Sequence, residues 1–273
     1  MLHSLFQKLP KWSLATSIAL LCPLSASFPK PAWANPAHTA PESLTRQLNA
    51  LETAANNGDL EAVQAAYSDE ATTVAGSPQT LTQKLKQFWD QYSNLDYQVE
   101  LQSWEKQGNA IVAETVTKIR GSRNQQQRNI TLQAELRSRQ RFVDGKIVSQ
   151  EILNEQSRLY IGENAPRVKI NAPNEVKVGE QFSFDVIVRE PLGEGILLGT
   201  AIEENVKPSN YLKPQKFDLK ILPAGGIYRL GKIKNPGKRW LSAIIVRENG
   251  MTLLSKRVNI VPAQAALSNS KNN

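Results

Sequence analysis

Cysteine and histidine are nearly missing from these 273 residues: one cysteine, Cys22, and two histidines, His3 and His38. All three fall within the first 38 positions. Beyond them, a Ser-His-Asp triad, a Cys-His pair, a disulfide framework and any His- or Cys-ligated zinc or iron site are excluded. A Gly-rich phosphate loop is lacking too, because Gly225-Gly226 leads into a strand-like run and not a helix. No cofactor and no metal are expected. What is present is 40% hydrophobic and 21% charged, with a formal net charge of +8. That balance suits one or two domains with real cores and argues against a disordered chain.

Acidic residues are absent before Glu42, and that gap marks an address. Lys8 and Lys11 precede an apolar stretch from Trp12 to Leu24, and Ala32-Trp33-Ala34 supplies a small-residue cleavage pattern, with Ser25-Ala26-Ser27 as a weaker alternative. This describes a secretory signal peptide over residues 1–34, cleaved after Ala34. The apolar run is short for a membrane span and Pro23 interrupts it. Leu21 stands where lipidation of Cys22 would need a small residue. The expected protein is exported to a periplasm or an equivalent envelope lumen, where a chain without further cysteine avoids stray oxidation.

Residues 35–42 (NPAHTAPE) read as a Pro/Ala linker. From Ser43 the apolar period is helical, through Leu44, Leu48 and Leu51, and ends at Asn56-Asn57-Gly58. Asp59 caps a second helix carrying Leu60 and Val63, and Thr80 with Gln83 resembles a capping box for a third, with Leu81, Leu85, Phe88 and Trp89 on its stripe. The period then changes to two over Tyr97–Leu101, Ile111–Thr115, Ile130–Leu136 and Ile147–Leu153, with turns at Gly108-Asn109 and Asp144-Gly145. These elements predict an α+β cone-shaped domain over 43–160, three helices on a curved antiparallel sheet. After a short linker, 161–166, about seven short strands over 167–262 predict an all-β immunoglobulin-like sandwich, followed by a polar tail, 263–273. A segment beginning at Arg167 is expected to fold alone. Charge divides along the same line, with a net of −2 over 42–160 and +8 over 164–273.

The run Asn57-Gly58-Asp59-Leu60-Glu61-Ala62-Val63, with Tyr67-Ser68-Asp69-Glu70-Ala71, resembles the nuclear transport factor 2-like superfamily, which includes SnoaL-like proteins and ketosteroid isomerases. The resemblance covers about residues 43–160 and implies a half-barrel whose hollow holds a ligand, serves catalysis or is plain core. It also implies dimers through the first domain's sheet. At the positions matching the isomerases' oxyanion-hole tyrosine, general base and protonated aspartate, this chain has Leu51, Ala75 and Ser138. Without base or acid there, proton abstraction beside a carbonyl has no machinery.

Other residues bear weighing. Tyr67, Trp89, Trp104 and Glu114 are candidates for lining a ligand pocket; plain core aromatics and a solvated ion-pair face are the competing readings. Asn129, Thr131, Gln133, Glu135, Arg137, Arg139 and Arg141 alternate with apolar residues and read as that solvated face. In the second half, Lys216, Lys220, Lys232, Lys234, Lys238 and Arg239 form a candidate docking surface for an anionic surface or an acidic protein partner; ordinary solubilising charge is the alternative. Nucleic acid is not an expected partner for an exported protein. The functional expectation is a non-enzymatic binding or scaffolding protein of the cell envelope. The alternative is an enzyme or a carrier of a small lipophilic ligand that uses the hollow of the first domain.

Overall fold

A computed structural model of the chain describes residues 34–73, 75–92, 94–191, 195–206, 217–222 and 225–263. Three α-helices lie among them: α1 (Glu42–Asn57), α2 (Leu60–Ala65) and α3 (Pro78–Trp89). The first ends at Gly58, whose left-handed φ of 68° accommodates the C-cap. Asp59 caps α2 by accepting from the Ala62 amide. The third helix starts earlier than the Thr80–Gln83 spacing implied. Ser77 is its N-cap, accepting from the Thr80 amide, and Pro78 occupies the first turn, where its missing N–H costs nothing.

Strands dominate. The first half contains β1 (Asn35–Pro36), β2 (Tyr67–Thr72), β3 (Asn94–Gln107), β4 (Ala110–Gln125), β5 (Arg128–Val143) and β6 (Lys146–Gly162). The second contains β7 (Val168–Asn171), β8 (Glu175–Lys177), β9 (Gln181–Val188), β10 (Leu197–Asn205), β11 (Lys220–Ile221), β12 (Gly226–Lys232), β13 (Gly237–Arg247) and β14 (Gly250–Val261). Residues 35–42 are not a loose linker: Asn35 and Pro36 pair with Trp104 and Ser103, and the Trp104 indole donates to the Thr39 hydroxyl at 3.1 Å.

The expected architecture, a three-helix α+β cone followed by a separate immunoglobulin-like sandwich, does not form. Eleven strands join in one large, mostly antiparallel sheet, in the order β1-β3-β4-β5-β6-β14-β13-β10-β11, with β2 and β8 pairing beside β6 and β14. The seam is β6. It runs on to Gly162, and its last stretch, Gln156–Gly162, hydrogen-bonds to Lys256–Gly250 of β14. A second sheet, β12-β9-β7, has three strands. Phe182, Phe184 and Val186 from β9 pack there against Leu241, Ala243, Ile245, Leu254 and Val258 of the large sheet.

At the seam two glycines are required by close approach. Gly162 has φ 87°, and a Cβ there would strike the Asn249 carbonyl oxygen; a Cβ on Gly250 would strike the Ala165 amide nitrogen. Gly250 is therefore a paired strand residue opposite Arg247, and the hairpin turn is Glu248-Asn249, one position earlier than an Asn-Gly turn would sit. The cores follow the sheet across the seam. Phe88 and Tyr92 share one apolar cluster with Leu159, Ile161, Ile244, Val246 and Met251. Trp240 of β13 belongs to the cluster under the helices, with Leu44, Val63 and Leu81.

Candidate functional site

Alternation along β5 turns Leu132, Ala134, Leu136, Ser138 and Gln140 toward the helices, while Arg137 and Arg139 take the opposite face. Above the inward row lie Leu51, Glu52 and Ala55 of α1, Val63 of α2, and Leu81, Leu85, Phe88 and Trp89 of α3. Between the helices and the sheet is a cavity of about 160 Å³, walled mostly by apolar side chains. An engineered cavity of about 150 Å³ takes up benzene, which sets the scale of an occupant.

The third wall comes from β6, which is bent by two β-bulges. Register shifts leave Val148 and Leu153 as extra residues opposite β5. The first bulge turns Gln150 and Ile152 inward; the second resets the phase, so that Glu155 and Ser157 also line the cavity. Tyr67 donates its hydroxyl to Gln150 Oε1 at 2.9 Å. Burial pushes the Tyr67 phenol well above its usual value, so it remains a donor at any physiological pH. The Trp89 indole donates to the Tyr97 hydroxyl at 2.9 Å, and burial likewise raises the Tyr97 phenol, only partly opposed by that bond.

Glu155 begins a row of side chains crossing the seam. Arg257 Nη2 and Nε reach its Oε2 at 2.8 and 3.1 Å, and the Trp240 indole N–H points to the same oxygen at 3.4 Å. The Arg257 side chain is 0% exposed and that of Glu155 is 6%. A parallel row is made of serines: Ser157 faces Ser255 across β6–β14, and Ser255 bonds Ser242 at 3.0 Å. Within this cluster Ser157 Oγ and Arg257 Nη1 are buried and have no partner among the described residues.

Of the four residues proposed for the pocket from sequence, Tyr67 and Trp89 line this cavity; Trp104 and Glu114 are not in its lining. Trp104 packs against the helical core's edge and bonds Thr39. Glu114 lies on the face with Arg137 and Arg139, whose Nη2 atoms each reach one of its oxygens at 2.6 Å. Burial alone would raise the Glu114 carboxyl, but hydrogen bonds from Arg139 and Arg137 outweigh it and hold the group below the ordinary carboxylate value. That is the opposite of a poised general base. Leu51 and Ser138 line the cavity, whereas Ala75 is buried outside the lining.

Among the basic residues, Lys216 lies outside the described residues. Lys220, Lys232 and Lys234 are exposed, on β11, at the end of β12 and in the turn that follows. Lys238 pairs with Glu151 at 2.9 Å and Arg239 with Glu203 at 3.6 Å, so two of the six face carboxylates. Gln140, Gln150, Glu155, Ser157 and Arg257 were missed by sequence reasoning. The one available signal was the period Glu155-Ser157-Leu159-Ile161, which carries the strand past Leu153.

A family model described as a domain of unknown function (DUF8623) matches residues 163–261, the stretch from the end of β6 through β14. No curated protein matches the chain by sequence. Among solved structures, it is similar to an epoxide hydrolase of the LEH-like kind from M. tuberculosis (16% identity, TM-score 0.30), covering 40% of this chain and 80% of that one. It is also similar to a ketosteroid isomerase from Mycobacterium sp. (12%, 0.28), covering 40% and 91%, and to a loop-truncation variant of IdmH (14%, 0.29), covering 40% and 89%. These neighbours are of the nuclear transport factor 2-like kind. At such scores they carry nothing about activity.

Proposed function

We propose that this chain is an exported binding protein that holds a small, largely apolar molecule in the cavity under its helices, without transforming it. The observation behind this reading is the cavity of about 160 Å³, with apolar walls and a few convergent polar groups. Of its two carboxylates, Glu155 is paired with Arg257 behind the wall and Glu52 accepts from the Val99 amide, and its phenols are held protonated. The export component rests on the basic, apolar and small-residue order of residues 1–34.

The test is native mass spectrometry of protein taken from its own host, followed by titration of the emptied protein with small aromatics while its tryptophan fluorescence is monitored. A retained small-molecule mass and saturable quenching are expected, both lost in Ala134→Phe, which fills the cavity. Equal binding by Ala134→Phe, or none by either protein, overturns the proposal.

A further inference from the structure

Four large apolar side chains stand open to solvent among the described residues: Ile196 (65% exposed), Ile221 (69%), Tyr228 (57%) and Leu230 (66%). Scattered singly they would need no explanation, but they share one edge of the two-sheet half. Ile221 is on β11, the outermost strand of the large sheet, and Ile196 directly precedes its partner β10. Tyr228 and Leu230 are on β12, the outermost strand of the small sheet. Arg229 of β12 donates to the Ala201 carbonyl of β10 at 3.1 Å, so the two outer strands run along the same edge.

Cations are interleaved with the apolar residues. Residues 217–222 and 225–234 hold Lys220, Arg229, Lys232 and Lys234, all exposed, against one carboxylate, Asp218. Lys220 lies opposite Gly199 and Arg229 opposite Phe184, so alternation turns both cations toward the gap between the sheets. Ile221 faces away from that gap on one side, and Tyr228, Leu230 and Lys232 face away on the other. Opposite Tyr228, the Asp185 carboxylate accepts from the Asn171 amide at 2.9 Å.

We propose that this edge docks the protein on an anionic lipid surface. Ile221, Tyr228 and Leu230 enter the headgroup region at the two rims, and the cations between and beside them meet lipid phosphates. A tyrosine and aliphatic side chains among basic residues suit that layer, where apolar and charged surroundings meet. Three of the four cations are lysines, flexible point charges that follow a fluid headgroup layer better than a fixed pattern of carboxylates. A second copy of the same edge would set like charges against each other. The reading is independent of whether the cavity holds a ligand.

The experiment is co-sedimentation of the chain from Ala34 onward, which holds every described residue, with two kinds of vesicle. One is phosphatidylcholine alone; the other is phosphatidylcholine with an equal part of phosphatidylglycerol. Wild type should bind the anionic vesicles at least tenfold tighter than the neutral ones at about 0.1 M salt, and lose most of that preference at about 1 M. Lys232→Glu should weaken anionic binding at least fivefold. Lys106→Glu, on β3 at the other end of the large sheet, makes the same change in net charge and should bind as wild type. Ile221→Ser with Leu230→Ser should weaken binding at least threefold at both salt levels. All these positions are exposed, so the fold is expected intact, and circular dichroism checks it. Equal losses in Lys232→Glu and Lys106→Glu would reduce the effect to overall charge and overturn the assignment of the edge. Unchanged binding by the double serine variant would show that the apolar side chains stay out of the lipid, and would overturn it too. No vesicle binding, with retention on immobilised polyglutamate or dimers abolished by Leu230→Ser, would give the edge to an acidic protein or a second copy instead. No binding of any kind would leave it as solvated surface and end the proposal.

Discussion

Arg257 and Glu155 stand 102 positions apart, yet the guanidinium gives Nε and Nη2 to a single carboxylate oxygen, at 3.1 and 2.8 Å, with no exposure of the arginine. The pair ties β14 to β6 where the two sequence halves meet. It is costly to bury and costlier to break, since either charge alone would be left in a dry place. Arg257→Met is therefore expected to destabilise the protein by about 3–5 kcal/mol. Adding Glu155→Met should recover most of that loss. Urea melts of both singles and the double decide it; additive losses would show that the two side chains are not coupled.

A fragment from Arg167 to Ala263 is expected to lack a cooperative thermal transition, contrary to what its clean alternation suggests. Without β6, the Gly250–Lys256 stretch of β14 has an open edge, and Ile244, Val246 and Met251 lose their cover from Phe88, Tyr92 and Leu159. Calorimetry of the fragment beside the full chain is the check. A sharp transition in the fragment would mean that the seam adds little.

Phe184 is 2% exposed between the two sheets. Phe184→Ala should cost roughly 3–5 kcal/mol, as large-to-small changes at closed sites do. Its neighbour Ser183 faces the other way, and Ser183→Ala should change stability by less than about 0.5 kcal/mol. Comparable losses at the two positions would put the β9 register one residue out.

Glu114 supplies the pH dependence. Its folded carboxyl titrates below the ordinary value of 4.5, because burial, which raises it, is outweighed by Arg139 and Arg137. A depressed folded value means stabilisation fully present above the ordinary one and lost as pH falls through the lower folded one. Glu114→Gln should thus cost about 1.5–3 kcal/mol at pH 7, the range for hydrogen bonds to charged groups. The gap to wild type should close below pH 4.5 in melts across an acid series. A gap independent of pH would place the cost in packing.

Much of the local structure was readable because local rules decide it. Gly58 ends α1, Asp59 caps α2, and the alternation from Asn129 to Arg141 separates the two faces of β5. The site was half readable. Tyr67 and Trp89 stood out as aromatics closing helical periods, although Tyr67 in fact opens strand β2, but nothing in the sequence marks the bulges at Val148 and Leu153, which bring Gln150 into the cavity and turn Glu151 out toward Lys238. Nor does it show that Gly162 pairs with Gly250. Strand partners 88 positions apart are chosen by shape and burial across the whole sheet, and no short window of residues carries that choice.

The row Glu155-Arg257-Trp240 has a consequence for the order of events as the chain is made. Synthesis delivers the helices and β2 to β6 first, so the emerging first half holds a carboxylate and an apolar sheet edge whose partners come about a hundred residues later. Until β13 and β14 arrive, Glu155 stays hydrated and the floor beside it is wet. The cavity under the helices is thus late to dry, and a chain interrupted before Arg257 leaves Glu155 without its buried partner.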